Sequence, residues 1–440
     1  MGGKAALFLV IGFSLIFMVI SRNISNISVR SMDNAMRYYE KTKAYSIALA
    51  GANITASKVF FDNNWDDGYD NIPFNGGHYS VTVQKIDPAR DIVKITSIGT
   101  FGVGNMVETH KVEVKLQPSS FSRFAYFSNK EKIGSTNIWW ASKDTVWGPF
   151  HTNDKIRIAG NPVFMGKATS YKGIYKRRGS HPEFNGGYSQ SAEKLPIPPD
   201  GVESVGDEAR TNGLVFTGKD TVYMTFKNDS LTYKFGAGQP DTTVYLPSAA
   251  PNGTIYAEAA NVRLKGVVDG RYTVAASEKV VTFTTGHWVW KRVRRRRWKR
   301  VWVTETTTAA KGGKIFLDDD IVYKDDPTQT YSDDILGIVA ENEVLIADNA
   351  ANASDINIQA AIYSQKKGFG AENFRTRPVS GKINLLGGIT QDSRMAVGTF
   401  NSSGAVSGFS KRYHYDERLL LMSPPSFPGT GNFEVVSWFE

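Results

Sequence analysis

The stretch that decides the fold lies at the amino terminus, where residues 5–20 read AALFLVIGFSLIFMVI and only Ser14 is polar. As a helix this stretch spans about 24 Å, a little less than the ~30 Å hydrocarbon core of a bilayer. Because its exposure to water is unfavourable, such a run needs lipid, detergent or copies of itself around it. The next residues, Ser21 to Ile24, are a poor signal-peptidase site, so we expect the apolar end to stay on the chain.

The pattern after the apolar run is that of one continuous helix. The first proline is Pro73, and apolar residues recur at spacings of three and four along one stripe. The stripe consists of Met32, Ala35, Met36, Tyr39, Ile47, Ala50 and Ile54. We therefore predict a helix over 1–61 that is apolar on all sides over 1–22 and amphipathic beyond.

Three segments after this helix alternate apolar and polar residues, as half-buried strands do. They are residues 77–83, 92–97 and 107–114. Their alternation predicts a small antiparallel β-meander within 62–118. A long helix followed by a small meander is an α+β arrangement in which the sheet covers one side of the helix.

The beginning of the chain resembles the mature amino terminus of a type IV pilin or pseudopilin, in particular the minor-pilin type. That type opens with small residues, a lysine and a phenylalanine-rich run, here Gly2, Gly3 and Lys4 followed by the apolar stretch. In the family a prepilin peptidase removes a short leader, the new first residue is N-methylated, and the hydrophobic helix forms the filament core. The resemblance implies that Met1 is the first mature residue; where the family usually has glutamate at position five, this chain has Ala5.

The resemblance also implies where the protein acts. It implies a bacterial subunit that is held in the inner membrane by residues 1–22 and then assembles with copies of itself into an extracellular, cell-surface filament. The residues expected to form the self-assembly helix are Met1, Ala5, Leu7, Phe8, Leu9, Val10, Ile11, Phe13, Leu15, Ile16, Phe17, Met18, Val19 and Ile20.

The remainder of the chain, 119–440, predicts a large all-β domain. Short β-branched runs such as 255–257, 315–317 and 356–358 recur between glycine, asparagine and aspartate, with no long helical pattern between them. They favour a solenoid of stacked rungs, and we predict a right-handed parallel β-helix. A Greek-key sandwich stays an alternative, because no strict repeat length is visible.

Parts of this domain carry a second resemblance. Residues 148–153, 160–164 and 413–419 are similar to an uncharacterised bacterial domain that follows pilin-like amino termini. This similarity implies a surface location and offers no chemistry.

The strongest local signal in the domain is residues 287–303, HWVWKRVRRRRWKRVWV, which read almost as a palindrome. Pairing that places Trp288 opposite Val303 and Val289 opposite Trp302 predicts a basic hairpin over 286–304 that turns at Arg295 and Arg296. Its candidate contact residues are Trp288, Trp290, Lys291, Arg292, Arg294, Arg295, Arg296, Arg297, Trp298, Lys299, Arg300 and Trp302.

The charge of the chain is concentrated in this hairpin. The net charge is +9, and it would be +1 without the eight cations between Lys291 and Arg300. Three partners would suit them: the acidic segment 318–334 on a neighbouring copy, DNA or an anionic polysaccharide, or an anionic membrane face. A hairpin tip that is merely solvated is the plain alternative.

Motifs for catalysis or metal binding are absent from the sequence. There is no cysteine, the six histidines lack metal-ligand spacing, and Asp318 to Asp320 lack the spacing of an EF-hand loop. We therefore predict no enzyme activity, no cofactor and no metal. The alternative function is a membrane-anchored β-helix that binds or cleaves extracellular polysaccharide, which would need paired carboxylates in a groove.

Overall fold

The computed structural model describes residues 2–62, 65–87, 92–103, 106–142, 144–294, 297–401 and 404–439. The chain forms two compact units. The helical unit comprises Met1–Ser119 and Gly431–Glu440, and the body comprises Ser120–Thr430. The end of the chain therefore belongs to the helical unit, whereas the sequence pattern placed all of 119–440 in one carboxy-terminal domain. Local periodicity identifies a strand but not the sheet that it joins, because its partner strands are remote in sequence.

The helical unit begins with the predicted long helix. Helix α1, Gly2–Phe61, has 60 residues and no internal proline. Its second half has one buried stripe at spacings of three and four residues. The fully buried members of the stripe are Ala44, Ile47, Ala48, Ala52 and Val59. Most of these side chains are small, so the helix axis can lie close to the sheet beneath it.

The sheet of the helical unit has five strands. The first four form an antiparallel meander, β1 Tyr69–Phe74, β2 Gly77–Asp87, β3 Ile92–Val103 and β4 Met106–Ser120, and the last strand of the chain, Gly429–Phe439, is next to β4. Buried side chains of the meander, including Val81, Ile95 and Val112, pack with the buried stripe of α1. Gly99 in β3 lies so close to α1 that a Cβ atom would overlap the Ala44 carbonyl.

The body is rich in short strands. The main set of strands is Tyr126–Lys130, Phe150–Thr152, Ala168–Ser170, Tyr188–Ser189, Leu214–Phe216, Thr221–Asn228, Ser230–Lys234, Thr242–Tyr245, Thr254–Ala257, Asn261–Val268, Arg271–Ala276, Ile315–Tyr323, Ile335–Ala340, Val344–Ile346, Ile356–Ser364, Phe369–Ala371, Val379–Ser393, Gly398–Asn401 and Gly404–His414. Smaller sheets contain Lys132–Ile133, Thr136–Asn137, Trp140–Ala141, Thr145–Val146, Ile156–Ala159, Val163–Phe164, Ile174–Lys176 and Glu183–Phe184. The helices of the body are Gly201–Asn212 and Leu246–Ala249, with 3-10 turns at Phe121–Arg123, Ala351–Ala353 and Glu417–Leu420.

Most strand pairs of the body are parallel. Ile356–Ser364 pairs in parallel with Val379–Ser393 over nine consecutive positions, from Ile356 opposite Ile383 to Ser364 opposite Gln391. Val379–Ser393 also pairs in parallel with Tyr126–Lys130, and Phe150–Thr152 pairs in parallel with both Tyr126–Lys130 and Ala168–Ser170. The offset between partners varies along the chain, which is why no strict repeat length is visible in the sequence.

This stacking places similar side chains above one another in the core. Tyr126 and Phe150 stack with ring centroids 5.3 Å apart and planes 2° apart, and Phe164 stacks on Phe184 at 5.0 Å. The core therefore contains rows of apolar side chains that run across the paired strands. Long helix and β-rich body together give the predicted α+β class.

Candidate assembly helix and basic ribbon

The first half of α1 has no covering layer within its unit. From Leu7 to Tyr39 every residue is exposed except Gly12, which is half-buried. The exposed side chains include Phe8 at 72%, Phe17 at 66% and Met18 at 72%. In the part of the chain that the structure describes, α1 is also the one helix that is long and apolar enough to cross a membrane.

The predicted self-assembly residues lie on this exposed half. Those from Leu7 to Ile20 point outward on all sides of the helix and form a continuous apolar cylinder. Met1 lies outside the described residues, and of Ala5 only the backbone is described. The cylinder contrasts with the buried stripe that begins near Glu40, which is only 8% exposed. One helix thus has two chemically different halves.

The basic segment of the body forms a two-stranded antiparallel ribbon, Glu278–Arg294 paired with Arg297–Gly312, which we call the basic ribbon. It is longer than the predicted hairpin over 286–304, and among the described strands it pairs with no third one. The predicted turn residues Arg295 and Arg296 lie outside the described residues, as does the side chain of Arg294.

The predicted register of the ribbon is wrong by one residue. Trp288 is opposite Trp302, and Val289 is opposite Val301, whereas the palindrome had paired each tryptophan with a valine. An irregularity between Arg292 and Arg294 shifts the pairing by one position. A palindrome in sequence cannot reveal such a shift, because a bulge places two residues on one strand opposite one on the other.

The observed register has a large effect on the two faces of the ribbon, because residues directly opposite each other share a face and side chains alternate along each strand. All four tryptophans of the ribbon therefore lie on one face together with two arginines. This tryptophan face consists of Trp288, Trp290, Arg292, Trp298, Arg300 and Trp302. The opposite valine face consists of His287, Val289, Lys291, Lys299, Val301 and Val303.

The tryptophan face is open to solvent and internally ordered. Its four indoles are between 50% and 64% exposed. The rings of Trp288 and Trp302 meet edge to face at 5.2 Å, and the Arg300 guanidinium lies over the Trp288 ring at 5.3 Å. Sequence reasoning identified these residues individually but missed that they share a face, since that depends on the register.

Several aspartates of the acidic segment 318–334, proposed as a partner for the ribbon, form ion pairs or hydrogen bonds within their own chain. Asp318 forms an ion pair with Arg263 at 2.6 Å, and Asp320 accepts hydrogen bonds from the backbone and side chain of Asn357. The buried Asp334 accepts a hydrogen bond from the backbone of Gly270. No group of three or more potential metal ligands occurs among the described histidines and acids.

A small cavity of about 50 Å³ lies inside the body, lined in part by Tyr126, Trp140 and Arg394. Arg394 forms a buried ion pair with Glu131 at 3.1 Å and lies over the Trp140 ring at 4.1 Å. The Tyr126 hydroxyl donates to Glu131, and burial raises the pKa of this phenol well above its usual range. No local pattern predicts this pair, because Glu131 and Arg394 are more than 260 residues apart in the chain.

A second buried polar group is His151, which stacks on the Phe127 ring at 5.4 Å. Its Nδ1 is 2.8 Å from the Thr169 hydroxyl and its Nε2 is 3.1 Å from the Asn153 side-chain oxygen. Burial lowers the pKa of this imidazole. Since both ring nitrogens have neutral partners, the site favours the uncharged histidine.

Comparison with known proteins adds limited information. Residues 93–172 match a family described as Domain of unknown function (DUF4900). No curated protein matches the chain. A solved structure, the competence-associated pilin ComZ from Thermus thermophilus, aligns with 91% of this chain and 97% of its own at 11% identity, with a TM-score of 0.35. A TM-score this low carries no weight for fold or function.

Proposed function

We propose that this protein is a structural subunit of an extracellular type IV pilus-like filament. The observation that carries the proposal is the division of α1 into an apolar cylinder, Leu7 to Ile20, and a later half that packs on its own sheet. The later half fixes the helix to a folded unit. The cylinder is left to bind something else, and identical cylinders on neighbouring copies are a chemically matched partner.

The energetics fit storage in a membrane followed by assembly. Burying the apolar cylinder stabilises it by on the order of 20 kcal/mol relative to water, at roughly 25 cal/mol per Å² of apolar surface. The difference between lipid contacts and helix contacts is far smaller, because lipid tails are as apolar as leucine side chains. A subunit can therefore exchange the inner membrane for a bundle of helices at modest cost, while release into water is strongly opposed.

We also propose that the body is a right-handed parallel β-helix displayed on the outside of the filament. The parallel pairing of successive turns and the stacked aromatic rows support it. Each rung of such a solenoid contacts only its neighbours, so the body can be long without a matching partner domain. In this proposal residues 1–22 lie in the filament core and 62–118 form the pilin-like sheet.

Two matched substitutions on α1 test the proposal. Phe17→Asp places a carboxylate in the apolar cylinder, and Phe61→Asp makes the same change at the far end of α1, where Phe61 is 85% exposed. Protein purified in detergent and then freed of detergent is examined by negative-stain electron microscopy. We expect uniform fibres for the wild type and for Phe61→Asp, and single particles for Phe17→Asp.

The control for folding is the thermal unfolding of the body, which should be equal in all three proteins because neither phenylalanine lies in it. Discrete wild-type particles that stay with detergent or lipid would overturn the filament proposal and support the membrane-anchored alternative. Fibres formed equally well by Phe17→Asp would show that the cylinder is not the assembly contact.

A further inference from the structure

The tryptophan face of the basic ribbon is an exposed surface to which the filament proposal assigns no role. We infer that this face binds single-stranded nucleic acid, with bases stacked on the indoles and phosphates on Arg292 and Arg300. The inference is independent of filament formation, because it rests on the register and exposure of the ribbon.

The first argument is the spacing of the rings. Trp288 and Trp290 are two residues apart on one strand, which separates their attachment points by about 6.8 Å at ~3.4 Å per residue. Two stacking steps of a nucleic acid also measure about 6.8 Å, at ~3.4 Å each. Attachment points at this spacing suit one planar base between two parallel rings, whereas a puckered sugar ring is thicker than a base.

The second argument is the alternation of rings and cations. On the partner strand Trp298, Arg300 and Trp302 follow one another at every second position, and the Arg300 guanidinium already lies over an indole. A guanidinium plane stacks on a base and pairs with a phosphate, so the strand offers stacking and charge in one row. A lipid-facing surface would instead separate its cations from its apolar band.

The third argument is repulsion within the ribbon. Lys291 is directly opposite Lys299 on the valine face, and Arg294 is opposite Arg297 near the turn. Like charges in direct cross-strand pairs destabilise a sheet unless an anion lies between them. These pairs raise the positive potential around the whole ribbon, and that potential attracts a chain of phosphates to it.

The fourth argument concerns the competing partner, a second copy of this chain. The acidic segment 318–334 includes carboxylates that already serve Arg263, Asn357 and the backbone of Gly270. Three of the seven aspartates of the segment, Asp318, Asp320 and Asp334, are thus engaged within their own chain, which leaves fewer carboxylates for the cations of the ribbon. An external polyanion brings negative charge that is not already engaged.

The test measures binding of the full chain to a fluorescein-labelled single-stranded oligothymidylate by fluorescence anisotropy. The matched probe is an abasic oligomer of the same length, which keeps the phosphates and lacks the bases. We expect the wild type to bind the oligothymidylate at least tenfold more tightly than the abasic oligomer, since each stacked base contributes about one factor of ten or more.

Matched variants separate stacking from charge. The double variant Trp288→Ile and Trp290→Ile keeps strand-forming bulk and removes the flat rings; it should lose the preference for bases. The double variant Val289→Thr and Val301→Thr changes the opposite face and should keep that preference. The double variant Arg292→Gln and Arg300→Gln removes both cations of the tryptophan face; it should lower the slope of log affinity against log salt by about 1.4 and should leave a preference for the oligothymidylate over the abasic oligomer.

Three results would overturn the inference. They are equal wild-type affinity for the two probes, unchanged binding by the tryptophan variant, and tighter binding of alginate or of anionic phospholipid vesicles than of the oligothymidylate at equal charge concentration. Far-ultraviolet circular dichroism and the thermal unfolding of each variant confirm that the ribbon substitutions leave the body folded. Fibres need not form for any of these readouts, so failure of the filament proposal is seen separately.

Discussion

The substitution Ile47→Ala tests whether the second half of α1 stabilises the helical unit while the first half serves assembly. Ile47 is fully buried between the helix and the sheet, whereas Ile24 on the same helix is 58% exposed. Replacing isoleucine by alanine removes three carbons, about 2.4 kcal/mol at ~0.8 kcal/mol each, and the remaining cavity adds to this cost. We therefore expect Ile47→Ala to destabilise the helical unit by about 3 kcal/mol.

Hydrogen exchange of β3 in the detergent-solubilised protein measures this loss, because exchange from a core strand reports the opening of its unit. A loss of about 3 kcal/mol accelerates exchange by more than 100-fold, at ~1.4 kcal/mol per factor of ten. The control, Ile24→Ala, should leave exchange in β3 unchanged and should weaken fibre formation instead. Equal acceleration by both substitutions, or by neither, would refute the division of α1 into an assembly half and a packing half.

Two further predictions concern the body. Arg394→Met leaves Glu131 buried without its cation and should lower the free energy of unfolding by about 3–5 kcal/mol. Much of this loss should be recovered when Glu131→Gln is added. Calorimetric unfolding of the single and double variants checks this, and losses of stability that simply add in the double variant would contradict it. Burial lowers the pKa of His151 in the folded body, whereas the unfolded chain has the ordinary value of 6.5. Below this pH the unfolded chain binds a proton that the folded body does not bind. The stability of the body should therefore fall as the pH drops through 6.5. Melting temperatures of wild type and His151→Asn between pH 8 and pH 5 should show a steeper loss in the wild type, and parallel curves would count against it.

The features that the sequence predicted well are those that follow from the local periodicity of apolar and polar residues. The apolar run at 5–20 and the absence of proline before Pro73 predict α1, and alternation predicts the meander of β2, β3 and β4. Each signal lies within a short stretch of chain, and each follows from how one helix or strand exposes its side chains. The long helix could be predicted without knowing which elements it packs against.

The features that the sequence could not predict depend on pairing between distant or shifted residues. The last strand, Gly429–Phe439, joins the sheet of the helical unit, and Glu131 pairs with Arg394 across the body. The ribbon is the clearest case, because a shift of one residue moved Trp302 from the face of Val289 to the face of Trp288. Composition identified a cationic, aromatic hairpin, and only the register showed that its four tryptophans share one face.

The environment of residues 7–39 in the assembled protein is the most direct test of the central claim. Helical reconstruction of wild-type fibres by electron cryomicroscopy would show which atoms surround this half of α1. We expect the apolar side chains of each copy to contact the same segment of neighbouring copies, with the bodies on the outside. A reconstruction in which this segment is surrounded by detergent, lipid or water alone would contradict the account.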